Sequence, residues 1–159
     1  MRVLYIDVVG LLYSKRYLES HEVFFDDLKF TISYQPMSIT DSLPHDAVSA
    51  RLLEKAVSDA SLKIYPVEPF RSYKWVRDQE VFSPASLAPD IDWRGKLRMG
   101  SGGTTARTLL HAENLGVKQW WCCGGSKLNW QLAHQQSRYL KSSAELGVTP
   151  QLLSRIRAL

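Results

Sequence analysis

Residues 2–8 read RVLYIDV and are the strongest indication of fold class in this chain. The stretch is apolar and rich in β-branched residues, and it ends near an acid that Gly10 soon follows. Strands that are buried on both faces of a parallel sheet have this nearly continuous apolar pattern. We therefore predict a central strand here, with Asp7 at its carboxyl end.

Strand and helix patterns alternate through the rest of the chain. This alternation predicts an α/β fold, namely a three-layer Rossmann-like domain with a mostly parallel central sheet, flanking helices and right-handed crossovers. After the first strand, the predicted elements are a strand at 29–34, a helix at 44–60, a strand at 62–67, a short helix around 73–81, a helix from the glycines of 100–103 to just before Gly116, a strand at 117–123, a helix at 128–140 and a terminal helix within 144–159.

Local signals refine some of these elements. Asp41 and Ser42 are candidate caps for the 44–60 helix, and Pro44 suits its first turn. Pro66 has no N–H to donate, which places the 62–67 strand at an edge or ends it early. The helix after the glycines has an apolar stripe of Ala106, Leu109, Leu110, Ala112 and Leu115.

Length and composition set limits on the class of protein. The chain has 159 residues, of which 45% are hydrophobic and 23% charged, so we predict one packed domain over 1–159 rather than disorder or a coiled coil. Apolar runs are too short for a membrane helix and no signal peptide is recognisable, so we predict a cytoplasmic protein without a membrane partner. Its two cysteines, Cys122 and Cys123, are adjacent, and share no metal-ligand spacing with the histidines.

The net charge of +4 leaves a nucleic-acid partner open. Basic and aromatic residues alternate in residues 71–77 (RSYKWVR), where Lys74, Trp75 and Arg77 are candidates for contacts with phosphates and bases. The alternative is ordinary solvated surface charge.

Ligands of parallel sheets bind beyond the carboxyl ends of the strands, so the chemistry is expected in 7–12, 67–71, 100–105 and 122–126. Asp7 is a candidate nucleophile toward a phosphoryl group or a ligand for Mg²⁺. The structural alternative is an acid that caps the next segment.

The glycine segment is a candidate phosphate site. Ser101, Gly102, Gly103 and Thr104 precede or open a predicted helix, whose N-terminal N–H groups favour anions. Similar segments occur in sugar-phosphate isomerase domains, where residues placed like Ser101, Thr104 and Thr105 would bind the phosphate. The alternative is a flexible loop in which Thr104 is the N-cap.

Residues 5–12 (YIDVVGLL) resemble the opening motif of the haloacid-dehalogenase-like (HAD) phosphatases, a strand followed by Asp, any residue, Asp and Gly. The layout resembles most the small bacterial branch of that superfamily that is associated with RNA-repair "Swiss Army knife" modules. Segments 50–71, 100–110, 117–125 and 140–159 lie in the order of that branch's later motifs. The resemblance covers most of the chain and implies the HAD fold more than its activity.

The chain departs from the family at the residues that do the chemistry. Val9 stands where the family has its general acid and base, and valine cannot move a proton. The phosphate-binding Ser is replaced within 66–69 (PVEP), which leaves Arg71 as a candidate phosphate ligand. Gly102 stands in place of the basic residue, and residues 123–125 (CGG) in place of the metal-binding aspartates.

The resemblance and its departures together predict a pseudoenzyme: a catalytically degenerate HAD-like domain that binds a phosphorylated ligand, a nucleic acid or a protein, with no cofactor. One alternative is a diverged Mg²⁺-dependent phosphomonoesterase, with Asp7 as nucleophile and metal ligand; another is a sugar-phosphate-binding domain that uses the glycine segment. An Asp7 without a second carboxylate within about 4–6 Å would favour the inactive interpretation. Acids that could supply one are Asp26, Asp27, Glu68, Asp90 and Asp92.

Overall fold

The computed structural model describes residues 1–23, 43–68, 72–95, 103–124, 137–143 and 145–159. Within them the chain forms, in order, β1 (Arg2–Ile6), α1 (Val8–Leu12), α2 (Lys15–Glu19), α3 (Ala47–Asp59), β2 (Lys63–Pro66), α4 (Tyr73–Asp78), a 3₁₀ turn (Pro84–Ser86), α5 (Thr104–Asn114), β3 (Gln119–Gly124), β4 (Tyr139–Lys141) and α6 (Pro150–Arg157).

The four strands of the described residues form one parallel sheet in the order β2-β1-β3-β4. The predicted α/β class and parallel sheet are confirmed, and β1 is an interior strand. Within this four-stranded sheet β2 lies at the edge, one of the two outcomes that Pro66 predicts, and its Ile64 also forms an isolated parallel bridge with Leu87. Ile6 lies opposite Pro66 on one side and Cys123 on the other. The strands β1, β2 and β3 therefore end at the same edge of the sheet, which we call the carboxyl edge.

Helices cover both faces of this sheet. Leu4 and Ile6 point to one face, where they pack in a cluster with buried residues of α1, α3 and α6. Val3 and Tyr5 point to the other face, in a cluster that includes Ala112 of α5. Side chains alternate between faces along a strand, so the apolar run of β1 contributes to two cores at once.

The first helix after Asp7 differs from the prediction. Val8 belongs to α1 rather than to the strand, because the side chain of Asp7 accepts a hydrogen bond from the Gly10 N–H and starts a helix there. An acid at the N-cap accepts from a backbone N–H of the first turn, which has no acceptor within the helix.

The 44–60 helix begins later than predicted. Its N-cap is Asp46, which accepts from the N–H groups of Val48 and Ser49. Pro44 precedes the helix instead of lying in its first turn. The predicted caps Asp41 and Ser42 lie outside the described residues, as does the predicted strand at 29–34.

In α5 the buried face differs from the apolar stripe. The residues of this helix that the structure buries are Thr105, Thr108, His111 and Ala112. Polar groups are tolerated inside when they are hydrogen-bonded, and His111 has partners on both ring nitrogens: Tyr5 and the Pro89 carbonyl. The helix α5 is therefore rotated about its own axis relative to the orientation that its apolar stripe predicts.

The end of the predicted 128–140 helix is a strand. Residues 139–141 form β4, which pairs with β3, and Tyr139 donates to the Gly124 carbonyl (2.8 Å). Tertiary pairing overrides a weak helical pattern at a short segment. Residues 128–136 lie outside the described ones. The terminal helix is present as α6.

None of the helices in the described part of the chain is long and apolar enough to cross a membrane.

Candidate functional site

The carboxyl edge brings two acids together. The backbone N–H of Asp7 donates to the Cys123 carbonyl (3.0 Å), and the N–H of Val67 donates to the Ile6 carbonyl (3.1 Å). These bonds extend the pairing of β1 on both sides by about one residue. Glu68, the next residue after Val67, is thereby placed beside Asp7, close enough for the charge of Asp7 to act on its carboxyl.

Asp7 has a structural role in addition to its position. Its Oδ1 accepts from the Gly10 N–H (2.9 Å), so the carboxylate caps α1. The structural alternative considered for this acid is therefore present in the structure. One of the two oxygens of the candidate nucleophile is engaged by the backbone.

Glu68 is tied to the same turn. Its Oε2 accepts from the Val9 N–H (3.0 Å), at the position where the resembled family has its second acid. Burial raises the pKa of the Glu68 carboxyl well above its ordinary value, and the neighbouring Asp7 raises it further. Hydrogen bonds from the backbone of Val9 and Val8 act in the opposite direction without cancelling these effects.

The two carboxyls lie at the ends of neighbouring strands, and each accepts a hydrogen bond from the first turn of α1: Asp7 Oδ1 from the Gly10 N–H and Glu68 Oε2 from the Val9 N–H. We call Asp7 and Glu68 the carboxyl pair. Because both acids lie against the same helix start, the charge of Asp7 disfavours ionisation of Glu68, which agrees with the raised pKa of Glu68.

The end of β3 lies on the side of Asp7 opposite Glu68. Gly124 has a φ of +143° and lies against Asp7, while Cys123 is buried. Burial, and secondarily the charge of Asp7, raises the pKa of Cys123 to about 12. The thiol is therefore protonated at neutral pH and is a poor nucleophile.

The described residues do not fit a magnesium site. They contain no group of three or more His, Cys, Asp or Glu that could hold a metal ion. Asp90 instead accepts from Tyr65 and Trp93, and Asp92 pairs with Arg94. Asp26 and Asp27 lie outside the described residues. Of the acids proposed from the sequence, Glu68 is the one that the described residues place beside Asp7.

The glycine segment is described only in part. Ser101, Gly102 and the candidate ligand Arg71 lie outside the described residues. Gly103, rather than Thr104, is the N-cap of α5, and no side chain caps this helix. Thr104 is the first helical residue and Thr105 is buried. A phosphate at this helix start stays a prediction.

The candidate nucleic-acid residues lie on α4. Lys74 and Arg77 both pair with Asp78, at 3.8 Å and 3.0 Å. Trp75 packs against the core cluster on the α3 face of the sheet. The two cations are thus partly neutralised by a neighbour on their own helix, and the aromatic ring is engaged by the core.

Two features of this region cannot be identified from the sequence. Glu68 is one of five candidate acids, and only the register of β2 against β1 distinguishes it. The buried Tyr5–His111 contact joins partners that are 106 residues apart. No local pattern in the sequence indicates either contact.

No family model, no curated protein and no solved structure matched the chain. The parallel sheet with helices on both faces is compatible with a Rossmann-like fold. Membership of the HAD-like phosphatases stays a prediction from sequence motifs.

Proposed function

We propose that this chain is a catalytically degenerate HAD-like domain that acts as a binding or interaction module in the cytoplasm. The observation that supports this proposal is the position of the Glu68 carboxyl, which lies beside Asp7 and accepts from the Val9 N–H at the start of the helix that Asp7 caps. A second acid therefore lies next to the strand-end acid that would attack a phosphoryl group.

The cap of α1 disfavours nucleophilic attack by Asp7. A nucleophilic carboxylate needs an oxygen directed at the reacting phosphorus. Oδ1 of Asp7 accepts from the Gly10 N–H. Attack through this oxygen would first require the capping bond to break.

The charge at the carboxyl edge also disfavours a phosphate. Among the described residues, the groups that shift the pKa of Glu68 are Asp7 and the backbone of Val8 and Val9, and none of these is a cation. Two like unit charges about 4 Å apart repel by about 4 kcal/mol at an effective dielectric constant near 20. Phosphoryl transfer depends on the opposite arrangement, in which cations neutralise the phosphate.

Asp7 is nevertheless not isolated, so the simplest form of the inactive interpretation does not hold. Glu68 is the second carboxyl that an active site would need. We assign it a blocking role because it lies beside Asp7, accepts from the Val9 backbone and has a pKa that burial and the charge of Asp7 raise. The Mg²⁺-dependent phosphomonoesterase is the competing outcome of the test below.

Hydrolysis of a generic phosphomonoester with Mg²⁺ tests the proposal. The wild type, Asp7→Asn and Glu68→Gln should all show the same near-background rate. Asp59→Asn, which changes an exposed acid on α3, is the matched control. Turnover by the wild type that Asp7→Asn abolishes and Asp59→Asn preserves would overturn the proposal and establish the enzyme.

A further inference from the structure

A cavity of about 400 Å³ lies between α2, the start of α3 and the loop that precedes α6. Its lining contains one cation, Arg16, and one acid, Asp46, together with hydroxyl groups and the apolar side chains of Leu146 and Val148. Small-molecule sites in proteins have volumes in this range. None of the lining residues belongs to the carboxyl pair, so the cavity is a separate feature of the molecule.

Backbone contacts hold the three segments that form this cavity. The Arg16 N–H donates to the Glu145 carbonyl (3.0 Å), and the Asp46 N–H donates to the Leu12 carbonyl (3.1 Å). A Cβ atom on Gly147 would lie 2.5 Å from a carbonyl oxygen of α1, so the loop before α6 packs tightly against that helix. The lining side chains therefore extend from packed backbone.

One set of lining groups can only accept further hydrogen bonds. The Tyr17 hydroxyl donates to the Pro44 carbonyl (2.7 Å), and the Ser49 hydroxyl donates to Oδ2 of Asp46 (2.7 Å). A hydroxyl has a single hydrogen, so both hydroxyls have only lone pairs left for a ligand. An ionised Asp46 is likewise an acceptor. These groups therefore favour a ligand group that donates hydrogen bonds and carries a positive charge.

A second set of lining groups donates. None of the ion pairs among the described residues involves Arg16, which is exposed, or Asp46. Ser14 is only 5% exposed, and its oxygen accepts from the Tyr17 N–H (3.3 Å). No acceptor for the Ser14 hydroxyl hydrogen lies in the part of the chain that the structure describes. Arg16 and Ser14 can therefore both donate to a ligand carboxylate.

We propose that this cavity binds a free α-amino acid with an apolar side chain. The ammonium group donates to Asp46 and the neighbouring hydroxyl oxygens, and the carboxylate accepts from Arg16. The apolar side chain packs against Leu146, which is 51% exposed. Such a ligand pairs with both charges of the lining, whereas a polyol pairs with neither and a simple anion or amine with one.

This inference goes beyond the proposed function, and it requires neither the resemblance to a phosphatase nor an inactive Asp7. Binding of L-leucine to the full chain tests it by calorimetry at about pH 6.5, where an α-amino group is charged. Leucine should bind with a Kd below about 1 mM. The amide NMR signals of Tyr17, Ser49 and Leu146 should shift as it binds.

Two analogues of leucine test the two charged contacts in the wild type. Leucinamide lacks the carboxylate, and 4-methylpentanoate lacks the ammonium group. Each should bind at least about tenfold more weakly than leucine, because each loses a charge-assisted hydrogen bond. A Kd for leucine above about 1 mM, or equal binding of the three compounds, would contradict the inference.

Substitutions test the same contacts from the side of the protein. Asp46→Asn removes the charge but keeps a residue that caps α3, and Arg16→Gln removes the cation. Each should weaken leucine binding at least about tenfold. The matched controls Arg51→Gln and Asp59→Asn change exposed charges of α3 outside the cavity and should leave binding unchanged. Equal effects in the cavity variants and the controls would refute the site.

Discussion

A Cβ atom placed on Gly124 would lie 2.3 Å from the Cβ of Asp7. The end of β3 therefore passes so close to the end of β1 that a side chain at position 124 does not fit. The same glycine accepts a hydrogen bond from Tyr139, which connects β4 to this point. The position of Asp7, and with it the carboxyl pair, depends on the missing side chain of a neighbouring strand.

Gly124→Ala should destabilise the protein by about 2–4 kcal/mol, since the new methyl group meets backbone and Cβ atoms of Asp7 and the φ of +143° is strained. Gly116→Ala is the matched control: its φ is +61°, but nothing lies within 4 Å of the added Cβ. It should cost only about 1–2 kcal/mol. Urea unfolding measures both, and equal losses would contradict the close approach.

Replacement of Glu68 should change how stability depends on pH. Its folded-state pKa is raised, so the stability that its protonated form contributes is fully present below the unfolded pKa of about 4.3 and is lost as pH rises through the folded value. Glu68→Gln should remove this loss of stability with rising pH. The difference in unfolding free energy between wild type and variant, measured at several pH values, should therefore shift in favour of the variant as pH rises; a constant difference would refute the shift.

His111 should produce a dependence of opposite direction. Burial lowers its pKa, while the Pro89 carbonyl and Asp90 act against that shift. The contribution is present above the unfolded pKa of about 6.5 and is lost as pH falls toward the folded pKa. His111→Gln should reduce this acid loss in urea unfolding. His21→Gln, at an exposed histidine, is the control that should retain it.

Tyr5→Phe should destabilise the same network without a change of shape. Because a carbonyl only accepts, the Pro89 contact requires the hydrogen of His111 on Nε2, and Nδ1 then accepts from the Tyr5 hydroxyl (2.9 Å). Loss of that hydroxyl leaves a buried acceptor unsatisfied, at a cost of about 1–3 kcal/mol. Thermal or urea unfolding would show it. A cost near zero would mean that this bond does not form in solution.

The double variant Lys74→Gln/Arg77→Gln tests the nucleic-acid hypothesis. Both cations pair with Asp78, so we expect no change in the salt dependence of binding to a single-stranded oligonucleotide. If the two side chains instead contact phosphates, the log–log slope should decrease by roughly 1.4, about 0.7 for each contact. Fluorescence anisotropy at several salt concentrations distinguishes the outcomes.

Much of the architecture could be predicted from local patterns. The apolar run of β1 and the alternation of strands with helices predict the α/β class and the parallel sheet, because burial on two faces is a property of a short segment. Pro66 predicts the position of β2 in the same way, because proline has no N–H to donate. The start of α3 and the buried face of α5 could not be predicted. Asp46, which is closer to the helix than the predicted caps, caps α3. The buried ring of His111 is hydrogen-bonded to Tyr5 and the Pro89 carbonyl, which are distant in sequence.

Local sequence is enough to predict that Asp7 ends an interior strand and that Val9 offers no second acid. What lies beside Asp7 depends on the assembled sheet: the register of β2 against β1 places Glu68 there, and the close approach of β3 requires Gly124. Strand pairing acts between segments that are dozens of residues apart, whereas a sequence pattern reports only the preferences of neighbours. Whether an acid at a strand end is isolated or has a second acid beside it is therefore a property of the assembled sheet.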